Sequence, residues 1–212
     1  FGGMRDEDMM ALYGWLMSQP ATHSPVPSTE LRFPFNVRPL MALWNGLFHH
    51  AVPWNDDPAR SALWNRGAYL VNQVGNCGGC HTPRNALGAE QQTERHLRGA
   101  LTDGWEAPAL DALSQAPIAW TENEFYSYLR QGHSRDHGAA AGPMASVVRA
   151  MSPAPDADIR AIAHYLASLQ GSERTPRKDQ ANDLIARAAR GAPLPGPAQR
   201  QFEGSCGGCH YD

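Results

Sequence analysis

The chain has 212 residues, of which 42% are hydrophobic, and this length allows one or two compact domains with apolar cores. Its 20 glycines and 17 prolines indicate a loop-rich fold. A formal net charge of −3 gives no indication of a nucleic-acid partner, so we expect partners among proteins and membranes. No stretch approaches the roughly 18 consecutive apolar residues of a membrane-spanning helix.

The first predicted helix belongs to an internal repeat. Residues 6 to 18 match residues 156 to 168 at a constant offset of 150, and both copies begin with acidic residues suited to a helix N-terminus. Both copies then place apolar residues at helical spacing. A repeat of this length indicates duplicated domains, so we interpret residues 1 to 22 as the last helix of a preceding domain. Two unrelated amphipathic helices are the alternative.

A connector is predicted over residues 23 to 56. Five prolines between residues 19 and 39 favour extended backbone, and residues 40 to 50 then resemble a short helix with leucines on one side. Trp44, Trp54 and Trp64 are expected to pack between domains or over the edge of a bound cofactor, with ordinary burial as the alternative.

The next domain is placed at residues 57 to 172. Asp57 followed by Pro58 predicts the start of its first helix. Gly67 within this helix would permit a close helix crossing, and Gly75 marks its end. The helix leads directly into a cysteine motif.

The sequence Cys-Gly-Gly-Cys-His occurs twice, and the two copies contain all four cysteines. Two thiols at this spacing can add to the two vinyl groups of one haem, while the adjoining imidazole reaches the iron. We therefore predict two covalent attachment sites. They comprise Cys77, Cys80 and His81, and Cys206, Cys209 and His210.

A thioredoxin-like dithiol and a structural zinc site are the alternatives for these cysteines. Neither requires a histidine directly after the second cysteine, and the two motifs begin 129 positions apart, at residues 77 and 206. A zinc site that bridges both motifs stays open. Covalent haem attachment in bacteria belongs to the periplasmic side, so we expect the periplasm. Because the chain opens at Phe1 without a signal peptide, we expect a mature or trimmed product.

Beyond the first motif, residues 82 to 120 lack sustained periodicity and are expected to be irregular. Thr121 and Glu124 form a capping box that predicts a helix through Leu129, followed by a gap from Gly132 to Pro143. The repeat helix is expected to extend from residue 156 to 170. Residues 173 to 197 resemble a linker, with a helix predicted at 181 to 190, and residues 198 to 212 the start of a further domain.

Met144 is the predicted second axial ligand. It lies 63 positions after His81, in an Ala-Gly-Pro-Met turn where a loop can aim the sulfur. A thioether favours the reduced iron and raises its potential, which suits electron transfer. Met151, His133 and His137 are rivals: a bis-histidine site would have a lower potential, and an open iron would indicate a peroxidase-like role.

Three further contacts are expected around this haem. Arg84 is expected to pair with one propionate, and the indole N–H of Trp105 or Trp120 with the other. The carbonyl of Pro108 is expected to accept the Nδ1–H of His81 and so fix its tautomer. His164 is predicted at the surface of the repeat helix, whereas no pattern supports His23, His49, His50 and His96.

Several segments together resemble a known family. They are residues 65 to 71, 77 to 85, 88 to 89, 137 to 138, 141 to 144 and 161 to 166. They look like the middle domain of the triheme cytochrome c subunits of bacterial membrane-bound dehydrogenases, of the alcohol, gluconate, fructose, aldehyde and nicotinate types. The resemblance implies mainly α, loop-rich class I cytochrome c domains with helices around covalent haem. It also implies Met144 as the sixth ligand, with residues 107 to 110 like the segment whose proline carbonyl holds the proximal histidine.

The resemblance further implies an electron-transfer subunit. It would pass electrons from a dehydrogenase catalytic subunit to membrane quinone or a terminal oxidase, with peripheral membrane attachment through C-terminal segments that this chain lacks. The family's first haem motif would lie upstream of Phe1. A dihaem peroxidase and a zinc-stapled interaction protein are the alternatives. Since no nucleotide loop, nucleophile elbow or paired carboxylates are evident, we expect no substrate chemistry of its own.

Overall fold

The structure is a computed structural model that describes residues 2–28, 30–49, 52–116, 118–171 and 186. Apart from residue 186, the predictions for residues 173 to 212 lie outside the described residues, and these include the second haem motif. The chain divides into two compact units, and the first comprises residues 1 to 115 and 120 to 172. The description below concerns this first unit.

Seven α-helices are described, and all are short to medium in length. They are α1 (Asp6–Ser18), α2 (Arg38–Phe48), α3 (Ala62–Tyr69), α4 (Gly78–His81), α5 (Glu122–Gln131), α6 (Gly142–Met151) and α7 (Asp156–Ser168). A π-helical segment, Leu70–Val74, continues α3 towards the cysteine motif. We call the region from α3 to α7 the core domain and residues 2 to 56, with α1 and α2, the N-terminal arm.

Two small antiparallel hairpins complete the fold. Strands β1 (Ala100–Thr102) and β2 (Trp105–Ala107) pair with Ala100 opposite Ala107, and β3 (His133–Ser134) pairs with β4 (Gly138–Ala139). The sequence suggested that residues 82 to 120 and 132 to 143 are irregular, but each of these segments contains a short hairpin. Asp103 and Gly104 have φ values of 51° and 79°, as is typical of the two-residue Asp-Gly loop of a β-hairpin.

The core domain is built on a close crossing of α3 and α7. A Cβ atom at Gly67 would lie 1.9 Å from the carbonyl oxygen of Ala161 and 2.7 Å from the Cβ of Tyr165, so the predicted role of Gly67 is confirmed. Helix α5 also packs against α7. The buried cluster that results comprises Ala68, Val71, Leu97, Phe125, Leu129, Ile159, Ala163, Tyr165 and Leu166.

Helix α3 begins later than predicted. Asp57 and Pro58 form a turn, and the helix starts at Ala62, where the side chain of Ser61 accepts a hydrogen bond from the backbone N–H of Trp64 at 3.1 Å. The buried amide of Asn65 explains the shift. It accepts from the N–H of Asp57 at 2.8 Å and donates to the carbonyl of the same residue at 2.9 Å, which holds the preceding turn in place.

The capping box of α5 is confirmed. The hydroxyl of Thr121 accepts from the N–H of Glu124 at 3.3 Å, and the Glu124 carboxylate accepts from the N–H of Thr121 at 2.9 Å. The helix extends two residues beyond the predicted end at Leu129. It stops at Gly132, which has a φ of 82° and so provides the left-handed conformation of a C-terminal cap.

All three expected tryptophan contacts lie within the first unit. The indole of Trp64 packs edge-on against Tyr165 and donates to the hydroxyl of Ser168 at 2.9 Å, which fastens α3 to α7. The ring of Trp54 lies 5.7 Å from that of Tyr69, and the Trp44 indole N–H donates to the carbonyl of Leu87. Trp54 and Trp44 therefore attach the N-terminal arm to the core domain.

Among the described residues, no helix combines the length and apolar character needed to cross a bilayer.

Candidate haem site at the first cysteine motif

The first cysteine motif forms a single helical turn. The N–H of His81 donates to the carbonyl of Cys77 at 3.0 Å, and the N–H of Thr82 to that of Gly78 at 2.9 Å. Cys77, Cys80 and His81 occupy positions i, i+3 and i+4 of this turn, so their side chains lie on one face. Two thiols and one imidazole are thereby directed to the same place.

The orientation of the His81 ring is set by one hydrogen bond. Its Nδ1 lies 2.7 Å from the carbonyl oxygen of Pro108, the contact that the sequence predicts. A carbonyl can only accept, so Nδ1 carries the hydrogen and Nε2 keeps its lone pair. Burial lowers the pKa of His81, which favours the neutral ring. A neutral imidazole with a free Nε2 is the form that binds a metal.

Both cysteines of this motif are free thiols. Burial raises the pKa of Cys77 to about 11, so its sulfur is protonated at neutral pH. A dithiol redox centre needs the opposite, a thiol with a lowered pKa in an electropositive setting. Within the described residues, no group of three or more His, Cys, Asp or Glu side chains is arranged to hold a metal ion. The dithiol alternative is therefore disfavoured for Cys77 and Cys80, whereas a zinc site that bridges both motifs would use residues outside the described part of the chain.

The backbone after the motif is bound to it at three points. The N–H of Gly99 donates to the carbonyl of His81 at 2.7 Å, and the hydroxyl of Thr102 to that of Cys80 at 3.3 Å. The buried hydroxyl of Thr82 accepts from the N–H of Leu97 at 3.0 Å. The β1–β2 hairpin is thus fixed on the side of the motif from which Pro108 reaches His81.

Met144 lies in the first turn of α6 and not in a loop, which corrects the prediction about its local structure. Ala141 precedes the helix in extended conformation, and Pro143 occupies its first turn, where proline is compatible with a helix. The sulfur-bearing side chain is partly buried against the core cluster.

Trp105 connects this helix start to the haem motif. A Cβ atom at Gly142 would lie 2.6 Å from two atoms of the Trp105 indole, so the ring covers the backbone two residues before Met144. Trp105 belongs to β2, in the hairpin whose first strand is tied to Cys80. The hairpin therefore spans from the His81 side of the site to the Met144 side. The indole itself is 52% exposed, and its contact with a propionate stays a prediction.

The three rival candidates for the second axial ligand have other surroundings than Met144. Met151 packs against the core cluster at the far end of α6, and His133 is exposed on β3. The ring of His137 stacks on Trp120 with centroids 3.7 Å apart, and its Nε2 lies 3.5 Å from the Glu124 carboxylate. These contacts occupy His137 and Trp120 with each other.

Arg84 has partners that the sequence did not suggest. Its guanidinium donates to the carbonyl of Gly88 at 2.9 Å and to that of Gly79 at 3.2 Å, and it lies 3.3 Å from the Glu90 carboxylate. Arg84 therefore holds the loop that follows the motif against the motif itself. Its pairing with a propionate stays a prediction.

His96, which no sequence pattern singled out, lies beside the motif. Its Nε2 is 2.7 Å from the amide oxygen of Asn72, whose Nδ2 donates to the hydroxyl of Tyr165 at 3.2 Å. His96 and Asn72 border a cavity of about 310 Å³. It is lined by Trp54, Asn72, Gln73, Asn76, Gly78, Glu90, Gln92 and His96. The signal in the sequence was the pair of amides, Asn72 and Gln73, inside the otherwise apolar segment Leu70–Val74. His164, as predicted, lies near the surface, with Nδ1 2.9 Å from the Glu122 carboxylate.

The residues at this site fit a covalently bound haem. Two free thiols provide the attachment points and an imidazole with a free Nε2 one axial donor, while the thioether of Met144 stays the predicted second donor. The haem, when bound, supplies an iron that gains and loses one electron at a potential set by those donors. The fold and site together define a c-type cytochrome domain.

Comparison with known proteins gives the same result. The family model for cytochrome c matches residues 65–170, so the chain belongs to the cytochrome c family. The predicted mainly α fold is confirmed, and the family implies covalent haem c.

Several relatives are subunits of dehydrogenases, which confirms the predicted resemblance. The chain is 46% identical over its whole length to a subunit of the nicotinate dehydrogenase of Pseudomonas putida. It is 35% identical over 88% of its length to the fructose dehydrogenase cytochrome subunit of Gluconobacter japonicus, and 32% identical over 97% to the gluconate 2-dehydrogenase cytochrome c subunit of Pantoea cypripedii. It spans 17%, 37% and 49% of these three proteins, respectively.

Proposed function

We propose that the chain is part of an electron-transfer subunit of a dehydrogenase complex. It receives electrons from a catalytic subunit and passes them towards membrane quinone or a terminal oxidase. The names of its relatives support this role, because each similar protein described above is a subunit of a dehydrogenase. The named substrate differs among these relatives, and we assign none to this chain.

The hydrogen bond between His81 and Pro108 is the observation that carries the proposal. It holds the imidazole in one tautomer and one orientation, so that Nε2 is preorganised to bind a haem iron. Met144 would supply the second axial donor; both donors would then be neutral, and the iron of a bound haem would have no open position. A closed iron favours electron transfer over the peroxidase alternative, which requires an open or displaceable position.

We also propose that α1 belongs to a haem-binding module that precedes the core domain and differs from the one that begins at Cys206. At the offset of 150, Met9, Trp15 and Leu16 of α1 correspond to Ile159, Tyr165 and Leu166 of α7. In α7 this face is buried, whereas in α1 it is exposed. Residues 1 to 22 thus have the sequence of a helix that packs against a helix preceding a cysteine motif, as α7 packs against α3. Together with Cys206, Cys209 and His210, this supports several haems in the whole protein. Because covalent haem attachment in bacteria belongs to the periplasmic side, we propose the periplasmic face of the inner membrane as its location.

Counting the covalent haems tests the proposal. The 212-residue chain should be produced in cells that attach haem c, and a pyridine haemochrome spectrum should be combined with intact mass. We expect a haem at Cys77 and Cys80 that is lost in Cys77→Ser, and a second that is lost in Cys206→Ser. A colourless protein with the mass of the bare polypeptide would overturn the proposal. Turnover of hydrogen peroxide with a reduced partner would support the peroxidase alternative instead.

A further inference from the structure

Helix α2 carries two neighbouring apolar stripes with different surroundings. Met41, Trp44 and Phe48 are half-buried, and the Trp44 indole N–H donates to the carbonyl of Leu87 at 2.9 Å, which holds α2 on the core domain. The second stripe is displaced by one position along the helix. It consists of Leu40, Leu43 and Leu47, which are between 42% and 62% exposed.

The segment around α2 has an unusual charge distribution. Residues 31 to 55 contain no aspartate or glutamate, although the chain has 21 of them. Arg32 and Arg38 are exposed, and within the part of the chain that the structure describes neither forms an ion pair. Further exposed apolar side chains surround the leucine stripe. They are Leu31, Phe33, Phe35 and Val52.

Exposed leucines and aromatic rings, together with two unpaired arginines and a single nearby acid, Glu30, form a combination that favours an anionic bilayer surface. The leucines would enter the boundary between headgroups and acyl chains, and the arginines would contact lipid phosphates. We propose that α2, together with residues 31 to 37, lies in the headgroup region of an anionic membrane. This inference does not depend on the electron-transfer role proposed above.

Helix α1 shows why charge, and not exposed apolar area alone, favours lipid for α2. It too exposes apolar side chains, among them Met10, Tyr13 and Met17. Its first turn, however, consists of Asp6, Glu7 and Asp8, which an anionic surface repels. The two helices thus present similar apolar stripes with opposite charge, and they form a matched pair for an experiment.

Membrane contact through α2 would keep the haem motif close to the bilayer. Leu87, which holds Trp44, lies in the loop that Arg84 fastens to the motif through the carbonyls of Gly79 and Gly88. The path from the leucine stripe to the cysteine turn therefore runs through a few short contacts.

Vesicle co-sedimentation tests this proposal on the haem-loaded 212-residue chain. The chain should bind vesicles of phosphatidylglycerol and phosphatidylcholine more tightly than vesicles of phosphatidylcholine alone. Replacing the stripe with serines (Leu40→Ser, Leu43→Ser, Leu47→Ser) should weaken binding at least tenfold, and the single Leu43→Asp should do the same by placing an acid on this face. Arg32→Gln with Arg38→Gln should remove the preference for anionic vesicles and most of the salt dependence.

The control places serines at the same spacing on α1 (Met10→Ser, Tyr13→Ser, Met17→Ser), at positions that are 57% to 67% exposed. It should bind vesicles like the unchanged chain, and all variants should keep their haem absorbance and helical circular dichroism. Unchanged vesicle binding in both α2 variants would overturn the proposal. An equal loss of vesicle binding in the α1 control would also overturn it. The same holds if the leucine stripe of α2 mediates dimerisation or binding to a dehydrogenase subunit instead of vesicle binding.

Discussion

Helices α1 and α7 have related sequences but different surroundings. Helix α7 buries its apolar face along α3, and its Asp158 forms a paired salt bridge with Arg66. The corresponding residue of α1 is Asp8, which accepts a hydrogen bond from the hydroxyl of Tyr69, one turn after Arg66 in α3. The apolar face of α1 stays exposed. A helical pattern therefore predicts that a segment is helical and amphipathic, but it does not identify the surface that the apolar face covers.

The largest expected difference between the two regions concerns glycine. At Gly67 an added methyl group would meet the Ala161 carbonyl at 1.9 Å, so Gly67→Ala must separate α3 from α7. We expect a loss of about 3 kcal/mol in the free energy of unfolding, at the upper end of the cost of overpacking. In α1, Gly14 has no atom within 4 Å of such a methyl group, so Gly14→Ala should gain up to about 1 kcal/mol in helix propensity.

Denaturant unfolding of the haem-loaded chain, followed by circular dichroism, measures both changes. Equal effects of the two substitutions would contradict the view that α7 is packed and α1 is exposed.

The second expected difference concerns methionine. Met144→Ala should lower the midpoint potential of the haem at Cys77 and Cys80 by on the order of 100 mV, a fraction of the ~0.8 V range that axial ligands control. It should also remove the weak charge-transfer band of thioether-ligated iron at the red end of the visible spectrum. Met10→Ala, on the exposed face of α1, should change neither property.

A redox titration with spectroscopic detection gives both readouts. Met151→Ala serves as the control for the rival ligand, since Met151 lies on the same helix as Met144. Loss of the band in Met151→Ala, together with its retention in Met144→Ala, would transfer the ligand role to Met151.

Much of the core domain could be predicted from local sequence. The cysteine motif, the capping box at Thr121 and the close approach at Gly67 each depend on a few neighbouring residues whose chemistry allows few conformations. The Pro108 contact followed from an expectation about the environment of His81, and the structure contains it. The Asp-Gly turn at Asp103 was also present in the sequence, but the strands on either side have only three residues each and gave no periodic signal.

Other features depend on side-chain contacts that no short sequence motif specifies. The start of α3 was misplaced because the side chain of Asn65 stabilises the turn at Asp57, eight residues earlier. Arg84 also binds the carbonyl of Gly88 in the loop that returns to it, a contact that the sequence did not suggest, and its pairing with a propionate stays a prediction. His96 is linked to Tyr165 through Asn72, across 69 residues of sequence. Such contacts are formed by the folded chain and leave no local pattern.

The third expected difference concerns tyrosine at the junction of the two regions. The buried hydroxyl of Tyr69 donates to the carboxylate of Asp8 and accepts from the backbone N–H of Arg5 at 3.2 Å, so it joins α1 to α3. Tyr69→Phe should lower the free energy of unfolding by about 1 to 2 kcal/mol, because both partners lose a hydrogen bond. Tyr13→Phe, on the exposed face of α1, should stay within about 0.5 kcal/mol of the unchanged chain.

Thermal or denaturant unfolding measures this difference, and limited proteolysis before Trp54 reports whether α1 has detached from the core domain. If Tyr69→Phe were as stable and as resistant as Tyr13→Phe, the N-terminal arm would have to be held by other contacts, such as the ring packing of Trp54 on Tyr69.

The smallest expected difference appears on acidification. Burial lowers the pKa of His137 below its ordinary value of 6.5, although the Glu124 and Asp136 carboxylates act in the opposite direction. A lowered pKa means that the folded state favours the neutral ring, so this contribution to stability is complete above pH 6.5 and is lost as the pH falls through the lower folded value. The core domain should therefore become less stable below about pH 6.5.

His137→Phe keeps a flat ring against Trp120 and removes the titration, so its unfolding midpoint should depend less on pH between 6.5 and 5 than that of the unchanged chain. The exposed His23 in the N-terminal arm provides the control, and His23→Phe should leave the pH dependence as it is. A steeper acid loss in His137→Phe would mean that the protonated ring is stabilised by Glu124, whose Oε2 lies 3.5 Å from Nε2. In that case the carboxylate, and not burial, would dominate the pKa of His137.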